Sequence, residues 1–239
     1  MKEIFLTTKD NTKIGINYYE NNFKKVVIIC PGWFMAKDSA VFLNMSEEFS
    51  KFCDVISMDF RGHGKSSGFY TFTAREENDL QAVVEYARTR YKQIILCGFS
   101  LGGALVVLHA AKHQDVSKVI AVSAPCDFMK IENHIYSPDA WVPTLFQKFE
   151  PKRWLTIRAG NPFLYKDRPI DFVDRITVPT LFLAGEKDPT VFPWHTEALF
   201  DKAVCEKQFK LFEKAKHAED LFIDLKQEFM QICVDWIEG

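Results

Sequence analysis

Short apolar, β-branched runs alternate with longer segments of helical spacing along most of the chain. The runs at 2–7, 13–19, 25–30, 54–58, 94–98, 118–123, 180–184 and 207–212 predict strands. The stretches around 38–51, 74–90, 101–113, 194–204 and 217–237 predict helices. Leu80, Val83, Val84, Ala87 and Tyr91 share one helical face, as do Leu221, Leu225, Phe229, Ile232 and Trp236. Alternating strand and helix predicts an α/β fold: a mostly parallel, eight-stranded sheet with helices on both faces. The first two runs have no helix between them and predict a hairpin on one edge.

One segment breaks the rhythm. From Cys126 to about Arg175 the alternation stops, five prolines appear (Pro138, Pro143, Pro151, Pro162, Pro169), and aromatics are dense, Tyr136, Trp141, Phe146, Phe149 and Trp154 among them. A structureless loop of that length does not suit a compact domain. The segment reads as a small, partly helical cap at 126–175, inserted between core segments 1–125 and 176–239. No internal repeat is present.

Composition narrows the possibilities. The 239 residues suit one or two domains, and 47% hydrophobic with 26% charged residues is globular. Thirty basic against 32 acidic residues, net −2, with neither sign in a block, lacks the basic surface that nucleic acid requires. No apolar run approaches the roughly 20 residues of a membrane span. The start, MKEIFLTTKDN, turns polar too early for a secretion signal, so a cytoplasmic chain is expected. Six scattered cysteines without a CxxC pair read as free thiols of a reducing compartment, and no residues argue for a metal.

The strongest chemical signal is Gly98-Phe99-Ser100-Leu101-Gly102, directly after the run Ile94–Cys97 and directly before the helical stretch 101–113. By composition alone a GxSxG match arises in about one chain in ten of this length, so its context carries the argument. A serine on a sharp strand-to-helix turn presents its hydroxyl above the sheet, and the helix N-terminus behind it offers N–H groups to an oxyanion.

A serine hydroxyl needs a base, and the base needs an orienting acid. Asp188 stands in the turn after the run 180–185, at the rim expected for Ser100, with Glu186 as the alternative acid. His217 follows the last strand on a loop and is the expected base. His109, His113, His134 and His195 lie on helices or in the cap and read as exposed or structural. The stretch Asp59-Phe60-Arg61-Gly62-His63-Gly64-Lys65-Ser66 lacks the first glycine of a phosphate loop and does not complete a dinucleotide fingerprint. It reads as a structural turn with a buried Arg61 or His63 network. Pro31-Gly32-Trp33-Phe34, after the third strand, offers a second backbone donor: Leu101 N–H would be one oxyanion donor and Trp33 N–H the other, with Phe34 N–H as the neighbouring alternative.

Together, Pro31-Gly32-Trp33, DFRGHGKS at 59–66, GFSLGG at 98–103, GEKDPTV at 185–191 and KHAED at 216–220 resemble the α/β-hydrolase superfamily. The resemblance runs from about Val26 to Gly239 apart from the cap. Within the superfamily the chain is most similar to small serine esterases, including the feruloyl-esterase-like and monoacylglycerol-lipase-like branches. It implies an α/β-hydrolase fold, Ser100, Asp188 and His217 as triad, and Trp33 and Leu101 as oxyanion donors. Members often carry His-Gly at the oxyanion loop, whereas Pro31 stands here in place of the His. Serine at position 100 departs from relatives that use aspartate or cysteine.

The expected function is hydrolysis of small carboxylic esters, with short, medium or aromatic acyl groups, through an acyl-enzyme and without metal or organic cofactor. Trp33 and Phe34 would line an apolar acyl pocket. Thioesters or small peptides are the enzymatic alternative. A non-catalytic binding protein on the same fold is the rival from another class. Oligomeric state is not legible in the residues.

Overall fold

The fold is that of a computed structural model, which describes residues 1–131, 150 and 154–239. Among the described residues eight strands form one sheet: β1 (Lys2–Thr7), β2 (Lys13–Tyr19), β3 (Lys25–Cys30), β4 (Asp54–Met58), β5 (Gln93–Phe99), β6 (Lys118–Val122), β7 (Thr180–Gly185) and β8 (Lys207–Phe212). Their spatial order is β1-β2-β4-β3-β5-β6-β7-β8. The β1–β2 hairpin forms the expected edge, β2 joins β4 antiparallel, and every later pairing is parallel.

The helices are α1 (Ala40–Phe49), α2 (Glu77–Arg88), α3 (Leu101–His113), α4 (Pro193–Lys202), α5 (Asp220–Asp224) and α6 (Lys226–Glu238). Side chains alternate across a strand, so the continuous run of β3 feeds two cores. Val26, Ile28 and Cys30 face the core under α2, α3 and α4, with Leu80, Val84, Leu105 and Leu199. Val27 and Ile29 face the core under α1, α5 and α6, with Phe42, Phe49, Leu221 and Phe229. A strand sandwiched in this way has no polar face, which is why its sequence reads as an uninterrupted apolar run.

Two expectations are corrected in detail. The last helical stretch, expected over 217–237, starts at Asp220 and breaks at Leu225, whose backbone (φ −130°, ψ 44°) leaves the helical region between α5 and α6. The sixth strand stops at Val122, because Ser123 turns left-handed at φ 47°. Of the expected cap, the core of the segment, with His134, Tyr136, Trp141, Phe146 and Phe149, lies outside the described residues. Its flanks hold short 3-10 turns at Phe128–Lys130, Pro169–Asp171 and Val173–Arg175. Among the described residues no helix is long and apolar enough to cross a membrane.

Candidate active site

β5 ends directly in Ser100, whose backbone (φ 54°, ψ −118°) reverses the chain into α3. A non-glycine residue persists there only because its surroundings hold it. Ser100 N–H donates to Val122 C=O at 2.8 Å, and Ser100 C=O accepts from Ala104 N–H at 3.0 Å. The flanking glycines permit the packing. A Cβ at Gly98 would stand 2.3 Å from Gly102 O, and one at Gly102 would stand 2.2 Å from Cys30 O.

β7 and β8 deliver the other two side chains to the same rim, because all three strands run parallel and end on one side of the sheet. Ser100 Oγ–H donates to His217 Nε2 at 2.9 Å, and His217 Nδ1–H donates to Asp188 Oδ2 at 2.7 Å. The Asp188 side chain is fully buried, and its Oδ1 accepts from Thr190 N–H and Val191 N–H, both at 2.9 Å. The imidazole is half-buried. Glu186, the alternative acid, instead accepts from Lys214 N–H at 2.9 Å.

The other described histidines are engaged elsewhere. His109 pairs with Asp115 at 2.8 Å and His113 with Glu77 at 3.0 Å. His195 Nδ1 lies 3.2 Å from Cys126 Sγ.

The loop after β3 presses against Ser100: a Cβ at Gly32 would stand 3.0 Å from Ser100 Cβ and 3.7 Å from its Oγ. Gly32 to Met35 form a tight turn closed by Met35 N–H to Gly32 C=O at 3.2 Å, with Phe34 left-handed at φ 63°. Phe34 N–H, the alternative oxyanion donor, is already spent. It donates to His63 Nε2 at 3.2 Å. Trp33 N–H and Leu101 N–H have no hydrogen-bond partner among the described residues.

The loop after β4 forms the buried network expected of 59–66. Arg61 donates to Asp79 through Nε and Nη2, at 2.9 and 2.6 Å, and to Asp10 through Nη1 at 2.7 Å. Burial opposes the guanidinium charge, but these carboxylates outweigh it and raise the Arg61 pKa. Arg61 in turn holds Asp10 down at about 2. Burial pushes His63 down to about 4, so the ring is neutral near pH 7. Residues 156–160 strap this loop in place. Arg158 N–H donates to Gly62 C=O, Tyr70 N–H to Arg158 C=O, and Gly160 N–H to Tyr70 C=O, all at 2.7 to 2.8 Å.

An aromatic wall lines this side. Trp33 and Phe34 sit 4.3 Å apart, Phe34 and Trp154 4.7 Å, and Trp33 and Phe72 5.2 Å. Phe34 and a buried His63 network are expected from the sequence, whereas their mutual hydrogen bond and the place of Phe72 are not. The only available signal was aromatic density after the GHGKS turn. Among the described residues no three His, Cys, Asp or Glu side chains gather as a metal site.

A family described as the alpha/beta hydrolase fold matches residues 25–152, more than half of the chain. Among curated proteins, Schizosaccharomyces pombe protein bem46 is 25% identical over 190 residues, covering 77% of this chain and 57% of that protein. Mouse serine hydrolase BPHL is 22% identical over 268 residues, covering 98% and 88%. Among solved structures, the Pyrococcus furiosus esterase Pf2001 superposes with a TM-score of 0.83 at 21% identity, over 99% of this chain and 90% of that one, a likeness of fold.

Proposed function

We propose, for a chain that belongs to the α/β-hydrolase fold family, that it hydrolyses carboxylic esters through an acyl-enzyme on Ser100. One observation carries the reading: a serine, an imidazole and a buried carboxylate in unbroken hydrogen-bond series, at 2.9 and 2.7 Å. That series is what a weak hydroxyl nucleophile requires.

His217 Nε2 takes the Ser100 proton as Oγ bonds to the acyl carbon. Asp188 holds the Nδ1–H tautomer and balances the imidazolium charge. Leu101 N–H and Trp33 N–H are the donors to the tetrahedral oxyanion, in keeping with the press of Gly32 on Ser100. The oxyanion collapses, the C–O bond to the alcohol breaks, and His217 returns its proton to the leaving oxygen. Water then repeats the cycle on the acyl-enzyme, releasing the acid and restoring Ser100.

The aromatic wall of Trp33, Phe34, Phe72 and Trp154 supports an apolar acyl pocket of moderate size, suited to short, medium or aromatic acyl groups. The free state of all six cysteines is in keeping with a reducing, cytoplasmic setting. The test is turnover of p-nitrophenyl esters of graded acyl length, with matched thioesters and anilides, by native protein and Ser100→Ala. Loss of turnover and of fluorophosphonate labelling in the variant is expected. Full activity in Ser100→Ala refutes the reading.

A further inference from the structure

We propose that the Phe72 ring sets the acyl-length limit of the pocket, and that Glu76 is the positioning residue that holds it there by clamping the strained turn that carries Phe72. The inference rests on the ester-hydrolase reading above and adds to it the device behind one wall of the pocket.

The backbone poses the problem. Thr71 to Ala74 form a four-residue turn, closed by Ala74 N–H donating to Thr71 C=O at 3.3 Å, and both central residues, Phe72 and Thr73, are left-handed at φ 56° and 81°. Positive φ at both central places marks the type I′ turn, which asparagine and glycine favour because bulky and β-branched residues are outliers there. Phe-Thr is a costly pair for this place. Thr73 gains nothing in exchange from its hydroxyl, which is buried with no hydrogen-bond partner among the described residues. Something outside the turn must hold it, since left-handed residues persist where their surroundings over-determine them.

Glu76 supplies that hold. It is fully buried, and its Oε1 accepts from Thr71 N–H at 2.6 Å. Its Oε2 accepts from the Thr71 hydroxyl at 2.9 Å and from Arg75 N–H at 3.2 Å. One carboxylate thus grips the chain on both sides of Phe72 and Thr73. Upstream, Tyr70 is fixed in addition, by its N–H to Arg158 C=O and by Gly160 N–H to its own C=O. The outcome is the place of the ring: Phe72 stands 5.2 Å from Trp33 and 5.1 Å from Tyr70. Trp33 follows Gly32, where an added Cβ would stand 3.7 Å from Ser100 Oγ, so Phe72 backs the residue next to the proposed nucleophile. Asparagine or glycine would make the same turn at less cost but would bring no ring to Trp33. That contact is what the strain secures.

The test reads selectivity rather than stability, as the ratio of kcat/KM for p-nitrophenyl octanoate to that for p-nitrophenyl acetate. Phe72→Asn deletes the ring with a residue that tolerates the left-handed backbone. It is expected to raise the ratio about 10-fold, the lower end of what one methylene is worth in an apolar pocket. Glu76→Gln sets an amide NH2 against one of the clamped donors and is expected to move the ratio the same way by a smaller factor. Adding Thr73→Gly to Glu76→Gln gives the turn a residue at ease with positive φ, and is expected to bring the ratio back towards native. An unchanged ratio in Phe72→Asn overturns the proposal. So does a native ratio in Glu76→Gln, whatever its urea midpoint, or a shifted ratio that Thr73→Gly does not bring back. If Glu76→Gln does not fold, Thr71→Val, which drops only the hydroxyl link, carries the same expectation and the same power to refute. A measurement on the native protein needs no variant: the Thr71 amide should exchange slowly with D2O, and fast exchange overturns the clamp. Native protein that neither turns over esters nor takes up fluorophosphonate defeats the ester-hydrolase reading and this one together. Active native protein with the wrong variant pattern defeats this one alone.

Discussion

Ser123 Oγ accepts the Ala218 N–H at 3.1 Å, tying together two residues that are both left-handed, at φ 47° and 50°. One directly follows β6 and the other directly follows His217, so this buried hydrogen bond joins the imidazole loop to the end of β6, beside the bonds of Lys187 N–H to Ala215 C=O and Lys214 N–H to Glu186 on its other side. Ser123 is in turn fixed by its own N–H donating to Leu183 C=O at 2.7 Å.

Ser123→Ala removes that anchor while leaving the Ser100–His217–Asp188 side chains intact. It is expected to lower kcat about 10- to 100-fold at nearly constant KM, the scale of a displacement of about 1 Å in a reacting group. The lost hydrogen bond should cost about 1 kcal/mol of stability. Steady-state kinetics and urea unfolding check both, and an unchanged kcat would show that the loop holds itself.

Two acidic residues lie in the turn after β7, and substitution tells them apart. Asp188→Asn should lower kcat by about 10⁴, because an amide favours the wrong imidazole tautomer. Glu186→Gln should leave kcat near the native value, since Glu186 contacts Lys214 N–H and not His217. A large loss in the Glu186 variant would reverse the assignment.

Glycine at position 102 is required by space. A methyl group there would stand 2.2 Å from Cys30 O and 2.6 Å from Pro31 O, forcing the start of α3 away from the end of β3. Gly102→Ala is expected to destabilise the protein by more than about 2 kcal/mol. Gly15→Ala is the control: the atoms nearest its Cβ would be side-chain atoms of Phe5 and Lys37, at 3.3 and 3.4 Å, and the loss should be smaller. Urea midpoints of the two variants decide the matter.

His63 also predicts acid sensitivity. Burial lowers its folded pKa to about 4 from an ordinary 6.5. A lowered value means the unfolded chain takes up the proton first. The contribution is therefore fully present above pH 6.5 and is lost as pH falls from 6.5 through about 4, by about 3 kcal/mol in all. Asp59, raised by burial to about 6, acts in the opposite direction: its contribution is lost as pH rises from 3.8 towards 6. The native protein alone thus mixes the two. The stability difference between native and His63→Gln should shrink steadily from pH 7 to pH 4 in urea titrations, and a constant difference would contradict the argument.

Strand positions were readable because a parallel strand buried on both faces must be apolar at every position, as in Val26 to Cys30. The order Ser100, Asp188, His217 was readable for a related reason. Each follows a recognisable strand, and parallel strands bring their ends to one rim. The break at Leu225 was hidden because apolar helical spacing continues on both sides of it, through Leu221 and Phe229. The pairings of Phe34 with His63 and of Ser123 with Ala218 were hidden more deeply. Each joins a backbone N–H in one loop to a side chain in another, and a backbone donor leaves no mark on residue identity. They exist because β4 lies beside β3, although β4 pairs also with β2, and because β6 lies beside β7 with β8 next. That lateral order comes from long-range packing of helices on both sheet faces, to which local patterning is blind. Local chemistry therefore named the three side chains proposed to react, while the arrangement of strands in space chose the residues that hold them still.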